Sequence, residues 1–498
     1  MTYLLGIDIG TTHIKVGLFT YEGQLIKSAI QQNVSFADQQ GHSYYHPEKL
    51  WNAVSRSIKE ITDAHSGEIR SIGITSMAES GLLMNKRTGE YQSHIVPWFD
   101  RRTEEIAKFL ETEIDPKNHF IKTGLHPSYK YGLAKILWLK NDGVNISKDS
   151  VWLSTADFIA YKLTGEVGTD YSLAARTYAF RIDTKEWDHS FIRHLELDSS
   201  IFPEARPSGV KIGETEANHF HRIGLAKGIP VAVSGHDHVC AALAVGAINP
   251  GIISNSIGTA ETLVGIIDQI HLSEEAYDSG FNFGCHVVPS RYFWMGSIQS
   301  SGGSVEWFRN QFLDGNITYA DMAQMLQEAK DIPSEILYYP YLAGSGAPNP
   351  NPRAKGAFIG LTSDHTNAEM LRAIYEGTAY ELERLKKAVE KLFKLKITNM
   401  ISVGGGTKNP DWMQIRADVT NCQLSIPFVK ESSLLGAAMT AGLGCGVYET
   451  EQELLQVISQ IDEEYIYPDE AHHLKYQEIF SQGYLTLQES LEGYFRKS

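Results

Sequence analysis

Apolar and polar positions change period repeatedly along this chain. Leu4-Leu5-Gly6-Ile7-Asp8-Ile9 is an apolar run interrupted by one acid, Gly10-Thr11-Thr12 is a short turn, and Ile14-Lys15-Val16-Gly17-Leu18-Phe19 is apolar again. Short apolar runs bounded by Gly and Thr predict a buried strand hairpin. Residues 50–64 and 131–140 have the 3.6-residue spacing of amphipathic helices, and residues 69–74 and 230–234 read as strands. After Asn249-Pro250-Gly251, a turn signal, the opening pattern begins a second time. Residues 252–257, Gly258-Thr259-Ala260 and residues 261–266 again read as strand, Gly-Thr turn and strand. Residues 371–392 and 411–419 read as helices and 399–403 as a strand. Alternation of this kind predicts an α/β protein with helices packed on sheets. The repeated hairpin predicts two related domains that face each other, with a boundary near residue 248.

Length and charge narrow the picture. A chain of 498 residues exceeds what one core usually organises. Sixty acids stand against 44 Lys and Arg, a net charge of −16, with no long basic run; nucleic acid and anionic membranes are poor partners for such a surface. Cys240, Cys285, Cys422 and Cys445 are far apart with no Cys-x-x-Cys spacing, which predicts reduced thiols in apolar surroundings. No basic segment leading into an apolar one opens the chain, and no run of about 18 apolar residues occurs, so the expected compartment is the cytoplasm.

Candidate chemistry concentrates on the hairpins. Backbone N–H groups around Gly10 and the hydroxyls of Thr11 and Thr12 suit phosphate oxygens, and Asp8 offers a hard oxygen to Mg²⁺. The plainer reading of Asp-x-Gly-Thr is a turn between core strands. Asp237 follows a strand and Gly235-His236 and precedes the small-residue run Cys240-Ala241-Ala242; it reads either as a helix cap or as a general base.

The chain resembles the FGGY carbohydrate kinases over essentially its whole length. The motifs are Gly6-Ile7-Asp8-Ile9-Gly10-Thr11-Thr12, Gly73-Ile74-Thr75-Ser76-Met77-Ala78-Glu79, Val96-Pro97-Trp98-Phe99-Asp100-Arg101-Arg102, Ser234-Gly235-His236-Asp237 and Ser256-Ile257-Gly258-Thr259. Tyr339-Pro340-Tyr341-Leu342-Ala343-Gly344, Lys355-Gly356-Ala357-Phe358-Ile359-Gly360-Leu361 and Gly404-Gly405-Gly406-Thr407-Lys408-Asn409 follow in the family's order. The resemblance implies two actin-like, ribonuclease H-like domains around a deep cleft, residues 1–248 mainly for the sugar and 249–498 mainly for ATP. It implies Asp237 as catalytic base, Asp8 on Mg²⁺, and Thr11, Thr12, Gly258 and Thr259 along the phosphates. Gly302, Gly405 and Asn409 match nucleotide-contacting positions, and Lys15 matches a cation near the nucleotide that reads equally well as a solvated strand residue.

Substrate choice rests on fewer residues. Glycerol kinases resemble this chain in carrying Glu at 79 but place Arg where Ala78 stands, and losing that guanidinium leaves room for a larger acceptor. Xylulokinases carry Met-His across positions 78 and 79, and this chain departs from them there. Glu79 suits two adjacent sugar hydroxyls, Trp98 a sugar face or core packing, and His238 the acceptor or the base beside it. Asp100 and Arg101 are expected near the same cleft, or as a structural ion pair. The register leaves Tyr129, Lys130 and Tyr131 open, and Lys130 in the pocket would favour an aldonate. The expected activity is ATP-dependent phosphorylation of a pentulose, with a sugar acid or polyol as the alternative acceptor. An actin- or Hsp70-like ATPase and a catalytically silent sugar-binding regulator are readings of other classes. The charged segment Glu381-Leu382-Glu383-Arg384-Leu385-Lys386-Lys387 reads as a solvated helix face. Residues 465–494 read as helix packing that is also compatible with a subunit contact in a homodimer.

Overall fold

A computed structural model describes residues 2–65, 67–216, 223–313, 315–329 and 333–497. The opening hairpin forms as expected, with β1 (Thr2–Ile9) antiparallel to β2 (His13–Thr20), and Asp8 lies opposite Lys15. β3 (Leu25–Gln32) extends it on one side; β4 (Glu68–Ser76) pairs with β1 in parallel on the other. With β5 (Lys211–Glu214) and β6 (Pro230–His236) the sheet order is β5-β6-β4-β1-β2-β3. β1 is buried from its second residue to its last, as a strand covered on both faces should be. One cover is α1 (Pro47–Ala64), which starts with Pro at its first helical position and turns Leu50, Val54, Ile58 and Ile61 inward.

The second sheet repeats the plan. β7 (Ile252–Ile257) and β8 (Glu261–Ile267) form the antiparallel hairpin, and β11 (Asn399–Val403) runs parallel to β7. With β9 (Asn282–Cys285), β10 (Tyr292–Ile298), β12 (Gln423–Pro427) and β13 (Glu463–Ile466) the order is β9-β10-β8-β7-β11-β12-β13. In both sheets the hairpin sits centrally, so each Gly-Thr turn emerges at the same edge of its domain.

Three helices set the cleft. α2 (Gly132–Asn141) is the helix expected over residues 131–140. α3 (Asp237–Ala244) leaves β6, and α4 (Ser432–Gly444), although late in the chain, packs on α3, β1 and β4 of the first sheet. Glycines permit that approach. A Cβ at Gly6 would strike the Leu434 carbonyl, one at Gly73 the Ala437 carbonyl, and one at Gly436 the Cys240 carbonyl. Main chain therefore meets main chain where the two halves cross.

Two expectations fail in instructive ways. The charged face at 381–387 is not solvated: Glu381, Glu383, Arg384 and Lys386 are all buried. Tyr341 and Tyr484 hydroxyls each donate to Glu381 Oε1 at 2.8 Å, and Arg384 donates to Oε2. The helix Asn367–Phe393 is enclosed by the C-terminal segment, so its i,i+3 pairs neutralise one another inside the protein. Asp100 pairs not with Arg101 but with Arg102, at 2.7 Å, while Arg101 turns out to Glu104. All four cysteines are free, three of them buried. Among the described residues no helix is long and apolar enough to cross a membrane.

Candidate active site

Asp8 ends β1 almost fully buried. Its Oδ2 accepts from the Ser433 hydroxyl of α4 at 2.6 Å, and its Oδ1 is buried with no hydrogen-bond partner. Burial pushes the Asp8 carboxyl up to about 7, Asp237 adds to the rise, and Ser433 and Lys15 oppose it. Lys15 reaches Glu431, the residue before α4, at 2.7 Å and is neither free nor fully solvated.

Asp237 is the first residue of α3, after a strand whose Gly235 has φ 118° and so turns the chain where a side chain would be strained. One carboxylate oxygen accepts from the His238 N–H at 2.7 Å and lies 3.3 Å from His236 Nε2. Burial raises the Asp237 carboxyl; the charge and N–H of His238 lower it, and Glu79 raises it. His236 is held well below the ordinary imidazole range by burial and is a neutral neighbour.

Asp237 and His238 line two cavities. The larger, about 400 Å³, also meets Met77, Ala78, Glu79, Trp98, Lys130 and Arg176 of the first domain and Thr262, Asn282, Gln299 and Ser345 of the second. The smaller, about 160 Å³, is lined by Ser254, Ser256, Thr262, Ser432 and Ser433 and lies beside the Ser433 partner of Asp8. A carboxylate between a sugar-sized cavity and a hydroxyl-lined one is placed to take a proton from the contents of the first.

The wall opposite Asp237 is built by long-range contacts. Glu79 has φ 64°, unusual for a residue with a side chain, and buried Lys135 of α2 fixes that backbone by donating to the Glu79 carbonyl at 2.7 Å. The Glu79 carboxylate is engaged by Arg176 Nε at 2.7 Å. Arg176 Nη1 is buried without a partner. Lys130 stands 5.3 Å from the Trp98 ring centroid, and burial lowers its ammonium while Glu79 raises it. Of the three residues left open by the register, Lys130 lines the cavity; Tyr131 is buried, stacked on Tyr178, and Tyr129 faces Arg101. Arg176 had no motif to announce it; its only signal is a lone cation within Leu173–Phe180, otherwise small, apolar or hydroxylic.

The nucleotide-side candidates divide. Thr11 lines the larger cavity, its hydroxyl accepting from Trp98 Nε1 at 2.9 Å, whereas Thr12 is exposed. The second hairpin is latched to the helix Gly302–Phe312: Gly302 N donates to Gly258 O at 3.0 Å and Gly303 N to Thr259 O at 2.9 Å. Behind it Arg416 and Glu261, both wholly buried, form a two-pronged ion pair that Ser301 completes by donating to Glu261 at 2.6 Å. Sequence reasoning missed this pair, which lies 155 positions apart. A Cβ on Gly405 would meet open space, while the Asn409 amide is spent capping the helix Pro410–Thr420 and bonding the Tyr375 hydroxyl.

The N-terminal-domain model of the FGGY family of carbohydrate kinases matches residues 3–244, and the C-terminal-domain model matches 253–445. A glycerol kinase of Saccharolobus islandicus is 29% identical over 476 residues, 93% of this chain and 92% of its own. A xylulose kinase of Staphylococcus xylosus is 27% identical over 483 residues, 97% of this chain and 99% of its own. The structure of a gluconate kinase from Lactobacillus acidophilus superposes with a TM-score of 0.89 at 23% identity, covering 100% of this chain and 99% of that one.

Proposed function

Because the chain belongs to the FGGY family of carbohydrate kinases, we propose that it transfers the γ-phosphoryl group of ATP to a hydroxyl of a pentulose-sized sugar, with Asp237 as general base. The observation that carries this reading is Asp237 lining both cavities. The acceptor proton passes to the Asp237 carboxylate as the hydroxyl oxygen bonds to the γ-phosphorus; the bond from that phosphorus to the β,γ-bridging oxygen breaks, and ADP leaves. Glu79 and Arg176 hold sugar hydroxyls as acceptor and donor, Trp98 and Ala78 bound the site, and closure of the cleft removes water that would otherwise take the phosphoryl group. The Gly258-Thr259 turn, Gly302 and the Gly10-Thr11-Thr12 turn flank the polyphosphate.

The donor set suits Mg²⁺. A buried Asp8 oxygen with no partner is an acceptor waiting for a hard cation, which takes few carboxylates and fills its shell with water and phosphate oxygens. When bound, the ion neutralises charge on the polyphosphate. Since Asp8 must lose a proton held up to about pH 7, Mg²⁺ affinity rises about tenfold per pH unit below 7 and levels off above it. Mg²⁺ titration of turnover from pH 5.5 to 8.5 checks this, and Asp8→Asn flattens the profile while raising the Mg²⁺ requirement. An Mg²⁺ requirement unchanged in Asp8→Asn removes Asp8 from the metal.

A second acceptor reading, a sugar acid, is favoured by the two cations Lys130 and Arg176 in the cavity lining. Coupled ADP release over ketoses, polyols and aldonates separates the readings. For an aldonate acceptor, Lys130→Met raises KM at least tenfold with kcat little changed; for a neutral pentulose it changes KM less than threefold. ADP release indifferent to every sugar supports an ATPase, and sugar binding without turnover supports a silent regulator.

A further inference from the structure

On the outer side of the first domain, away from Asp237, α1 and the chain leaving β3 enclose a cavity of about 330 Å³. Its apolar lining is buried Ile14, Leu50 and Ala53, half-buried Phe36 and exposed Val34, and its charged lining among the described residues is of one sign. Lys49 and Arg56 stand seven residues apart on one face of α1, and among the described residues no Asp or Glu lines the cavity. Neither cation is in an ion pair among the described residues; Lys49 Nζ lies 4.1 Å from the Phe36 ring centroid. Glu48, the neighbour of Lys49, is turned away to Lys162 at 3.0 Å. His46 adds a buried Nδ1 without a partner. In a chain of net charge −16, an acid-free concavity with two unpaired cations is unusual.

The same cavity reaches the first phosphate hairpin from behind. Asn33, in its wall, donates from Nδ2 to the Gly10 carbonyl and from its backbone N–H to the Thr12 carbonyl, both at 2.8 Å. Tyr45, also in the wall and buried, donates to the Thr11 carbonyl at 2.8 Å. Three successive carbonyls of the Gly10-Thr11-Thr12 turn are thus held by two residues that line a basic pocket.

We propose that this pocket is a second anion site, which binds a small phosphate ester or polyphosphate and acts through Asn33 and Tyr45 on the Gly10-Thr11-Thr12 turn. The guanidinium of Arg56 and the ammonium of Lys49 take the phosphate oxygens, and the Ile14, Phe36 and Leu50 side chains take the body of the ester. Its effect on turnover rests on the kinase reading; the binding does not.

Calorimetry on the full chain with inorganic pyrophosphate tests the site. With the cleft filled by a non-hydrolysable ATP analogue, one pyrophosphate site remains, and its affinity falls at least tenfold in Lys49→Gln/Arg56→Gln. Both residues are exposed, so the variant folds, and its basal turnover without added anion stays within twofold of the parent. Glycerol 3-phosphate and ADP as parallel probes distinguish a sugar-phosphate source from a nucleotide one. Affinity unchanged in the double variant, or no binding once the cleft is filled, overturns the site. Occupancy shifts the KM for ATP at least threefold in the parent, and an unchanged KM with anion bound overturns the link to the turn.

Discussion

Asp237→Ala lowers sugar-dependent ADP release by about 10³-fold or more while ATP binding stays within a few-fold, the expected loss when a positioned base is removed and the rest of the cleft stands. Asp237→Asn, nearly the same size, does the same, which separates the lost proton acceptor from a lost shape. Burial and Glu79 raise the Asp237 carboxyl, so its rate contribution falls off as pH drops into a range above that of an ordinary aspartate. Asp237 raises the cost of ionising Asp8, so the low-pH limb reports both carboxyls. Steady-state rates against pH in the parent and in Asp237→Asn, with equilibrium ATP binding alongside, decide the matter. Turnover within tenfold of the parent in both variants sinks the base assignment.

The second large effect is on stability. Arg416→Met leaves Glu261 and Ser301 facing an apolar thioether, and Glu261→Gln leaves the guanidinium uncompensated; each costs about 3–5 kcal/mol, because neither charge reaches water. The paired variant Arg416→Met/Glu261→Gln removes both charges and loses less than the sum, giving a coupling of about 2 kcal/mol or more. Urea unfolding of the four proteins supplies the cycle. Additive losses show that the ion pair is not a unit.

The hairpins were legible because their signal is local: apolar runs, a Gly-Thr turn and a repeat of the same form. The strands at Asn399–Val403 and Pro230–His236 and the helix Asn367–Phe393 were readable for the same reason. Contacts between distant segments were not. Arg176 meets Glu79 from 97 positions away, and Lys130 lines the cavity while Tyr131 packs on Tyr178, facts set by tertiary packing. The 381–387 segment misled because i,i+3 charge pairs look alike whether water or a second layer of helices covers them; what decided it was the Tyr341 and Tyr484 hydroxyls on Glu381, remote in sequence. Asp100 chose Arg102 over Arg101 because only one of two adjacent side chains on that turn points inward.

The glycine contacts at Gly6, Gly73 and Gly436 bear on how such a cleft shuts. Where side chains interleave, two bodies shift by repacking; where bare backbones touch, little can slide, and the movement left is a roll about the point of contact. That point lies on α4, just beyond Ser433, and against the strands that end in Asp8 and run to Asp237. A fulcrum so placed leaves the two carboxylates nearly stationary relative to each other while the Gly258-Thr259 turn swings through the longest arc. Structures of open and closed forms are expected to keep the Asp8–Asp237 spacing and to differ in the distance from that pair to the Gly258-Thr259 turn.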